Sequence, residues 1–274
     1  MAKLSFRNRR VISLIVTACA LAVVWALSWL QDASLGHSSY LTGFTVLASL
    51  FLLIMLGMRR RLPVLPLGSM SSWTQVHLYT GIFATGVFLM HVPAVVGGGK
   101  FEFALSMLFW VVSLSGFYGV YVSRTVPKRL TAVGSGQDRF DQAKWTRQRI
   151  GETAEALLSE TNGTAAGKIL EKFYAEYLKA FFTKPPSLAY VMIPTGTRRR
   201  RLLGDMKELN RYLEDETRAT AGRFAALVRR RDDLDYQYAM QFRLRAWVVV
   251  HATFSIILTV AAVIHGVIAL RFTW

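Results

Sequence analysis

Cysteine is almost absent from this chain: a single residue, Cys19, among 274. One thiol excludes a disulfide framework, an iron–sulfur cysteine set and a Cys-x-x-Cys-His attachment site for covalent haem. Histidine is nearly as scarce, with five residues, and acids are few, 17 Asp and Glu against 33 Lys and Arg. No phosphate loop or dinucleotide fingerprint occurs, so the parts of a flavin or NAD reductase domain are missing. What fills the chain instead is apolar. Hydrophobic residues make up 53% of it and the mean hydropathy is +0.32, too apolar for an ordinary soluble domain of this length.

The apolar residues are segmented. A bilayer core about 30 Å thick needs about 20 mostly apolar residues per helical span, and five stretches qualify: residues 11–30, 40–58, 76–96, 103–122 and 246–270. The expected class is therefore all-α: a polytopic membrane bundle of five transmembrane helices with a helical cytoplasmic insertion. The domains expected are 1–123 for the first four spans, 124–244 for the insertion and 245–274 for the fifth span. Lys3, Arg7, Arg9 and Arg10 precede the first span as in a signal peptide, but its length and Trp25 and Trp29 near its far end favour a retained helix. Cys19, inside this span, reads as a small packing residue.

Cytoplasmic connections collect Lys and Arg. The N-terminus, the Arg59-Arg60-Arg61 loop and the segment after Arg124 are basic, whereas the other side carries short connections and the Arg271 tail. This places the N-terminus inside and the C-terminus outside, so spans three and five run in the same direction. The same cationic excess is accounted for by these loops and by anionic headgroups, which makes membrane lipid, and not nucleic acid, the expected partner.

Four of the five histidines form two pairs of equal spacing, His77 and His91 in span three and His251 and His265 in span five. Fourteen helical residues rise about 21 Å and return to within about 40° of the same face. Parallel helices facing each other would join His77 to His251 at one depth and His91 to His265 at another. Intramembrane ionisable groups are costly and mark functional sites. Only two histidines meet at each depth, too few for a structural zinc site, but two trans imidazoles suit the axial positions of a haem iron. Structural hydrogen bonding, another metal and a proton relay are the competing uses.

Other residues are candidates for the same sites. Gly81 and Gly86 lie between His77 and His91, where they serve either close approach of a macrocycle or close helix packing. Ala252, Ser255, Ala261 and Ala262 offer similar room in span five. Arg271 and Lys100 at the outer end, and Arg243 and Arg245 at the inner end, are cations that would pair with propionates or mark the membrane boundary. His37, in an outer connection, reads as a surface residue. Met90 points about 100° away from the His91 face and is not preferred as a ligand.

His77-x13-His91 and His251-x13-His265 on two membrane helices resemble the di-haem cytochrome b group. More closely, the chain resembles a bacterial group of cytochrome b-like membrane proteins. That resemblance rests on Val76-His77-Leu78-Tyr79-Thr80-Gly81, on Ser115-Gly116-Phe117-Tyr118-Gly119-Val120-Tyr121, and on Asp232-Asp233-Leu234-Asp235-Tyr236 leading into Trp247 and His251. It covers about residues 73–265. It implies two non-covalent bis-histidine haems b in a bacterial cytoplasmic membrane, acting as an electron wire with other redox subunits, cytochromes or a quinone as partners. The Pro-Glu-Trp-Tyr quinol motif is absent. A quinol or ferric reductase in its own right, or a non-redox anchor or assembly subunit, are the alternatives.

The insertion reads as helical, with Pro127 closing the exit from span four. Helical periodicity covers residues 140–159 and 165–182, a short extended piece is expected at 188–193, and another helix at about 204–230. It is expected to cap the inner site and dock another subunit, or else to be an inert connection. The cluster Asp232, Asp233 and Asp235 is expected to be a salt-bridge patch at the entry to span five.

Overall fold

The computed structural model describes residues 6–61, 69–92, 94–132, 140–160 and 165–272. Among these every regular element is helical, ten α-helices and three short non-α turns, and there is no strand. The chain divides into two compact units: Met1–Val120 with Val248–Trp274, and Tyr121–Trp247.

In the first unit lie α1 (Phe6–Ala33), α2 (Ser38–Arg61), α3 (Met70–His91), the first part of α4 (Lys100–Ala132) and the last part of α10 (Asp215–Phe272). The connections carry no glycine where the backbone turns left-handed: Leu35 and Val95 take φ of 58° and 69°, positions that cost a non-glycine residue strain. At Val95 the indole of Trp110 donates to the carbonyl at 3.1 Å and holds the turn. The N-terminus of α3 is capped by Ser69, whose hydroxyl accepts from the Ser72 amide at 3.2 Å, satisfying one of the orphan donors of the first turn.

Stretches within α1, α2, α4 and α10 are each long and apolar enough to cross a membrane, as fits a multi-pass membrane protein. Their outer faces are apolar too: Val16, Trp25, Trp29, Leu114, Ile256 and Val260 are all more than half exposed. In water so much exposed apolar surface would drive association, whereas lipid tails accept it without cost. Cys19 lies on such an exposed position, so it is not the packing residue expected of it. By contrast, α3 has 22 residues but does not reach the apolar threshold, because two histidines and a run of Ser, Thr and Gln interrupt it. It packs closely against α1 and α2, while Ser71, Ser72 and Thr74 at its start are exposed.

The second unit has a core of its own. Ile150, Ala154 and Leu157 from α5 (Ala143–Ser159) meet Leu170, from α6 (Ala165–Phe173), and Tyr174 and Leu178, from the π-helical turn that follows it. Phe181 and Phe182 from α7 (Lys179–Thr183), Leu202 and Met206 from α9 (Thr197–Leu209), and Phe224 and Val228 from α10 complete it. A buried cluster of this size makes the segment a folded helical module.

Several boundaries differ from those the sequence suggests. Pro127 does not end α4, which runs on to Ala132; a helix-interior proline forfeits a ladder bond and crowds the preceding turn, and here the helix absorbs both. Residues 188–193 are not extended: Ser187 accepts from the Tyr190 amide at 3.3 Å and caps a helical turn, α8 (Leu188–Met192). The helix expected at 204–230 is two helices, because Leu213 turns out of helical geometry and Arg218 donates to its carbonyl at 2.9 Å. From Asp215 to Phe272 there is no further break. No glycine or proline occurs between Gly222 and Gly266, so nothing stops the helix where insertion and span were expected to separate. The acidic cluster therefore lies inside α10 and not at a helix entry.

Candidate haem-type bis-histidine sites

The rings of His77 and His251 face each other with centroids 6.3 Å apart and planes at 72°. Those of His91 and His265 are 6.4 Å apart at 77°. Because the pairs occur in the same order along α3 and α10, these helices run in the same direction past one another.

The separation can be tested against coordination chemistry. A metal–imidazole bond of about 2.0–2.1 Å and about 1.2 Å from nitrogen to ring centre put the centroids of two trans ligands about 6.4 Å apart. Both pairs lie within that spacing. No group of three or more His, Cys, Asp or Glu side chains gathers to hold a bare ion among the described residues. Each site thus offers two imidazoles and no third ligating side chain among the described residues.

Three of the rings have partners on the flanking helices. Thr42 Oγ1 stands 3.1 Å from His91 Nδ1 and Ser115 Oγ 2.7 Å from His251 Nδ1. His77 Nδ1 stands 3.2 Å from the Leu53 carbonyl, which can only accept, so Nδ1 carries the proton there and Nε2 keeps a lone pair. The supporting groups come from α2 and α4, which flank the histidine helices. The ring of His265 meets Phe101, 6.2 Å away, as well as His91.

Glycine placement is only partly as expected. A Cβ on Gly86 would stand 2.6 Å from Leu21 on α1, so Gly86 serves helix packing and not a slot beside the histidines. Gly81 faces open space. The glycines at the histidine rings are instead Gly43 on α2, where a Cβ would stand 3.0 Å from His91 Cε1, and Gly116 on α4, 3.6 Å from His251 Cε1. These differences grade the expected effects of substitution. Gly43→Val displaces the His91 ring and weakens the outer site alone, Gly116→Ala is tolerated, and Gly86→Ala moves only the flexible end of Leu21; haem content per protein measures all three.

A cavity of about 390 Å³ opens at His91 and His265, lined by Tyr40, Gly43, Leu50, Phe88, Glu102, Phe109 and Ala262 among others. This is within the usual range for small-molecule and cofactor sites. Between the two histidine levels the space is filled: Phe88 and Phe109 stack at 3.9 Å, Trp110 meets Phe88 edge-on at 5.8 Å, and Leu258 and Val87 are buried with them. Ala84 and Leu258, each seven residues from both histidines of its helix, are 2% exposed, so the two sites are separate.

Of the flanking cations, Arg245 reaches Asp141 at 3.5 Å, within the second unit. Lys100 opens α4 beside Phe101, whose ring meets His265, and Arg271 lies in the last turn of α10 beside Leu270 of the cavity lining. Of the small residues in span five, Ala262 lines the outer cavity, and Ser255 turns its hydroxyl to the His251 carbonyl at 2.7 Å. His37 meets Tyr40 at 5.9 Å, and Tyr40 lines the outer cavity. Thr42, Gly43 and Ser115 carry no sequence signal as ligand supports; each is a small residue within an apolar span, and only the neighbouring helix gives it a role.

The chain matches no protein-family model, no curated protein and no solved structure.

Proposed function

We propose that this chain is a membrane b-type di-haem cytochrome, a subunit that passes electrons across the membrane between two bis-histidine sites. The observation that carries the reading is the pair of imidazole separations, 6.3 and 6.4 Å, at two levels of the same two helices. His77 with His251 would hold the cytoplasmic haem and His91 with His265 the outer one, with α3 as the fifth crossing and the N-terminus inside. Each haem, when bound, supplies a one-electron couple, and with both axial positions filled it is suited to electron transfer rather than to ligand chemistry.

The protein's own part is to fix the ligands. Ser115, Thr42 and the Leu53 carbonyl hold Nδ1 and orient each ring, which raises ligand basicity and restricts rotation. Ser115→Ala and Thr42→Val should therefore weaken haem retention about 10–100-fold at the inner and outer sites respectively, each leaving the other site unchanged in haem titrations. The stacked Phe88 and Phe109 keep water from the space between the levels.

The decisive test is the absorption spectrum of the purified full chain. A reduced α-band of b type with two haems extractable per chain is expected; no such band and no extractable haem would overturn the reading. The outer cavity, with Glu102 beside an apolar lining, favours a second reading as a quinol reductase. Reduction of the purified protein by a quinol analogue, without a partner, would select it.

A further inference from the structure

One buried hydroxyl in the first unit is bonded differently from the rest. Ser106 on α4 is 3% exposed and lines the cavity at His91 and His265. The other hydroxyls buried this deeply in that unit, Thr17, Thr42, Ser49 and Thr259, each have as acceptor the carbonyl one turn earlier on their own helix. Ser106 does not. Its oxygen accepts from the Gly97 amide at 3.1 Å, and among the described residues its own proton has no acceptor. A buried donor without a partner is unfavourable, so the occupant of the cavity is expected to supply the acceptor.

The bond to Gly97 also holds the connection before α4 against that helix. Ala94, Val96, Gly97 and Gly98 form a wall of the cavity, and Trp110 pins the same segment at the Val95 carbonyl. A Cβ on Gly97 or Gly99 would collide with Glu102, so glycine lets the segment close onto α4. The Ser106 hydroxyl is thereby held by its oxygen, and its proton is left for the cavity.

The cavity lining is graded in polarity. Its polar groups, Ser39, Glu102, Ser106 and the Gly97 and Gly98 backbone, come from the first two turns of α2 and α4 and from the connection before α4. Val46, Leu50, Phe109 and Leu258, from further along these helices and from α10, make the rest apolar. A haem is graded in the same way, apolar along one edge and carrying two carboxylates on the other. No lysine or arginine is among the lining residues.

We infer that Ser106 donates to a propionate of the haem at His91 and His265, which sets that haem with its carboxylate edge toward Ser106 and its apolar edge toward Leu50 and Leu258. The inference rests on the di-haem reading and gives the outer haem an orientation. A hydroxyl donating to a carboxylate is charge-assisted and stronger than a neutral pair, so one serine is enough to matter.

The test titrates the haem-free full chain, wild type and Ser106→Ala, with haem and with haem dimethyl ester, whose esterified propionates carry no charge. Absorption spectra read the occupancy. With haem, Ser106→Ala is expected to weaken the site at His91 and His265 about 10–100-fold and to leave the site at His77 and His251 unchanged. With the diester the same substitution should weaken binding far less, because only the bond to Gly97 is lost. That bond acts on both ligands alike, so the difference between them isolates the contact with the propionate. Equal weakening for haem and diester would overturn the proposal and leave Ser106 a support of the connection. Failure of wild type to bind either ligand would overturn the di-haem reading itself, a result distinct from the first.

Discussion

On the di-haem reading proposed above, replacing His77 by Ala is expected to remove one haem of two and leave the other spectrally intact, and His251→Ala to remove that same haem. The expectation follows from the ring pairs, which join each histidine to a partner about 174 or more residues away in sequence and not to the histidine on its own helix. A b-type haem has no covalent link, so an iron left with one imidazole loses half its axial hold and the ring that oriented it. The reduced-minus-oxidised absorbance falls by about half in each single variant. In the double variant, His77→Ala with His251→Ala, it falls no further, because both changes act on one site, whereas His77→Ala with His91→Ala abolishes both bands. Loss of different haems from His77→Ala and His251→Ala would show that the ligands pair along the helices or with another chain.

Asp235→Ala is the second change of large effect, and it acts on the stability of the inserted module. Asp235 accepts from Arg147 at 3.1 Å and pairs with Arg231 one turn earlier on α10. Arg231 is 0% exposed; it also donates to the Lys184 carbonyl at 2.8 Å. Without the carboxylate two guanidiniums face one another with no counter-charge, at an expected cost of about 3–5 kcal/mol. That corresponds to a lowering of the module's thermal midpoint on the order of 10 °C, measurable by limited proteolysis during a temperature ramp. Asp215→Ala is the control. Its pair with Arg218 is almost wholly solvated, with the Asp215 side chain 97% exposed, and should shift the midpoint little. Equal shifts in the two variants would mean that the buried network contributes no more than a surface pair.

The acidic cluster is the salt-bridge patch expected from sequence, but it lies within α10 and is largely buried. Burial came from α5, α7 and α8 folding over that face, which no local pattern announces. The three acids then divide: Asp235 holds two arginines, Asp232 holds Tyr190 and Arg199, and Asp233 holds Arg199 at the edge.

Much of the membrane unit was legible in the sequence because lipid imposes a simple rule: apolar stretches of the right length must be helices. The spacing of fourteen places each histidine pair on one helical face by geometry alone. That argument survives the low hydropathy of α3, since helical periodicity does not depend on how apolar the helix is. Helix ends were less legible. Pro127 and the 210–214 break were misjudged because local stop signals compete with packing. The 58-residue α10 was missed because a change of solvent, from water to lipid, looks like a boundary in composition but is none to a backbone with no glycine or proline between Gly222 and Gly266.

The sequence by itself determined an all-helical chain, its apolar spans, and two histidines at matched intervals on each of two helices. Only the tertiary structure decided which rings meet, that Gly43 and Gly116 approach them while Gly86 packs on Leu21, and that Thr42, Ser115 and the Leu53 carbonyl stand at their Nδ1 atoms. The division has a physical cause. Periodicity along one helix is a property of its own residues, whereas a hydrogen bond or close approach between helices depends on how they rotate and slide against one another, and that is set by the packing of every neighbour at once.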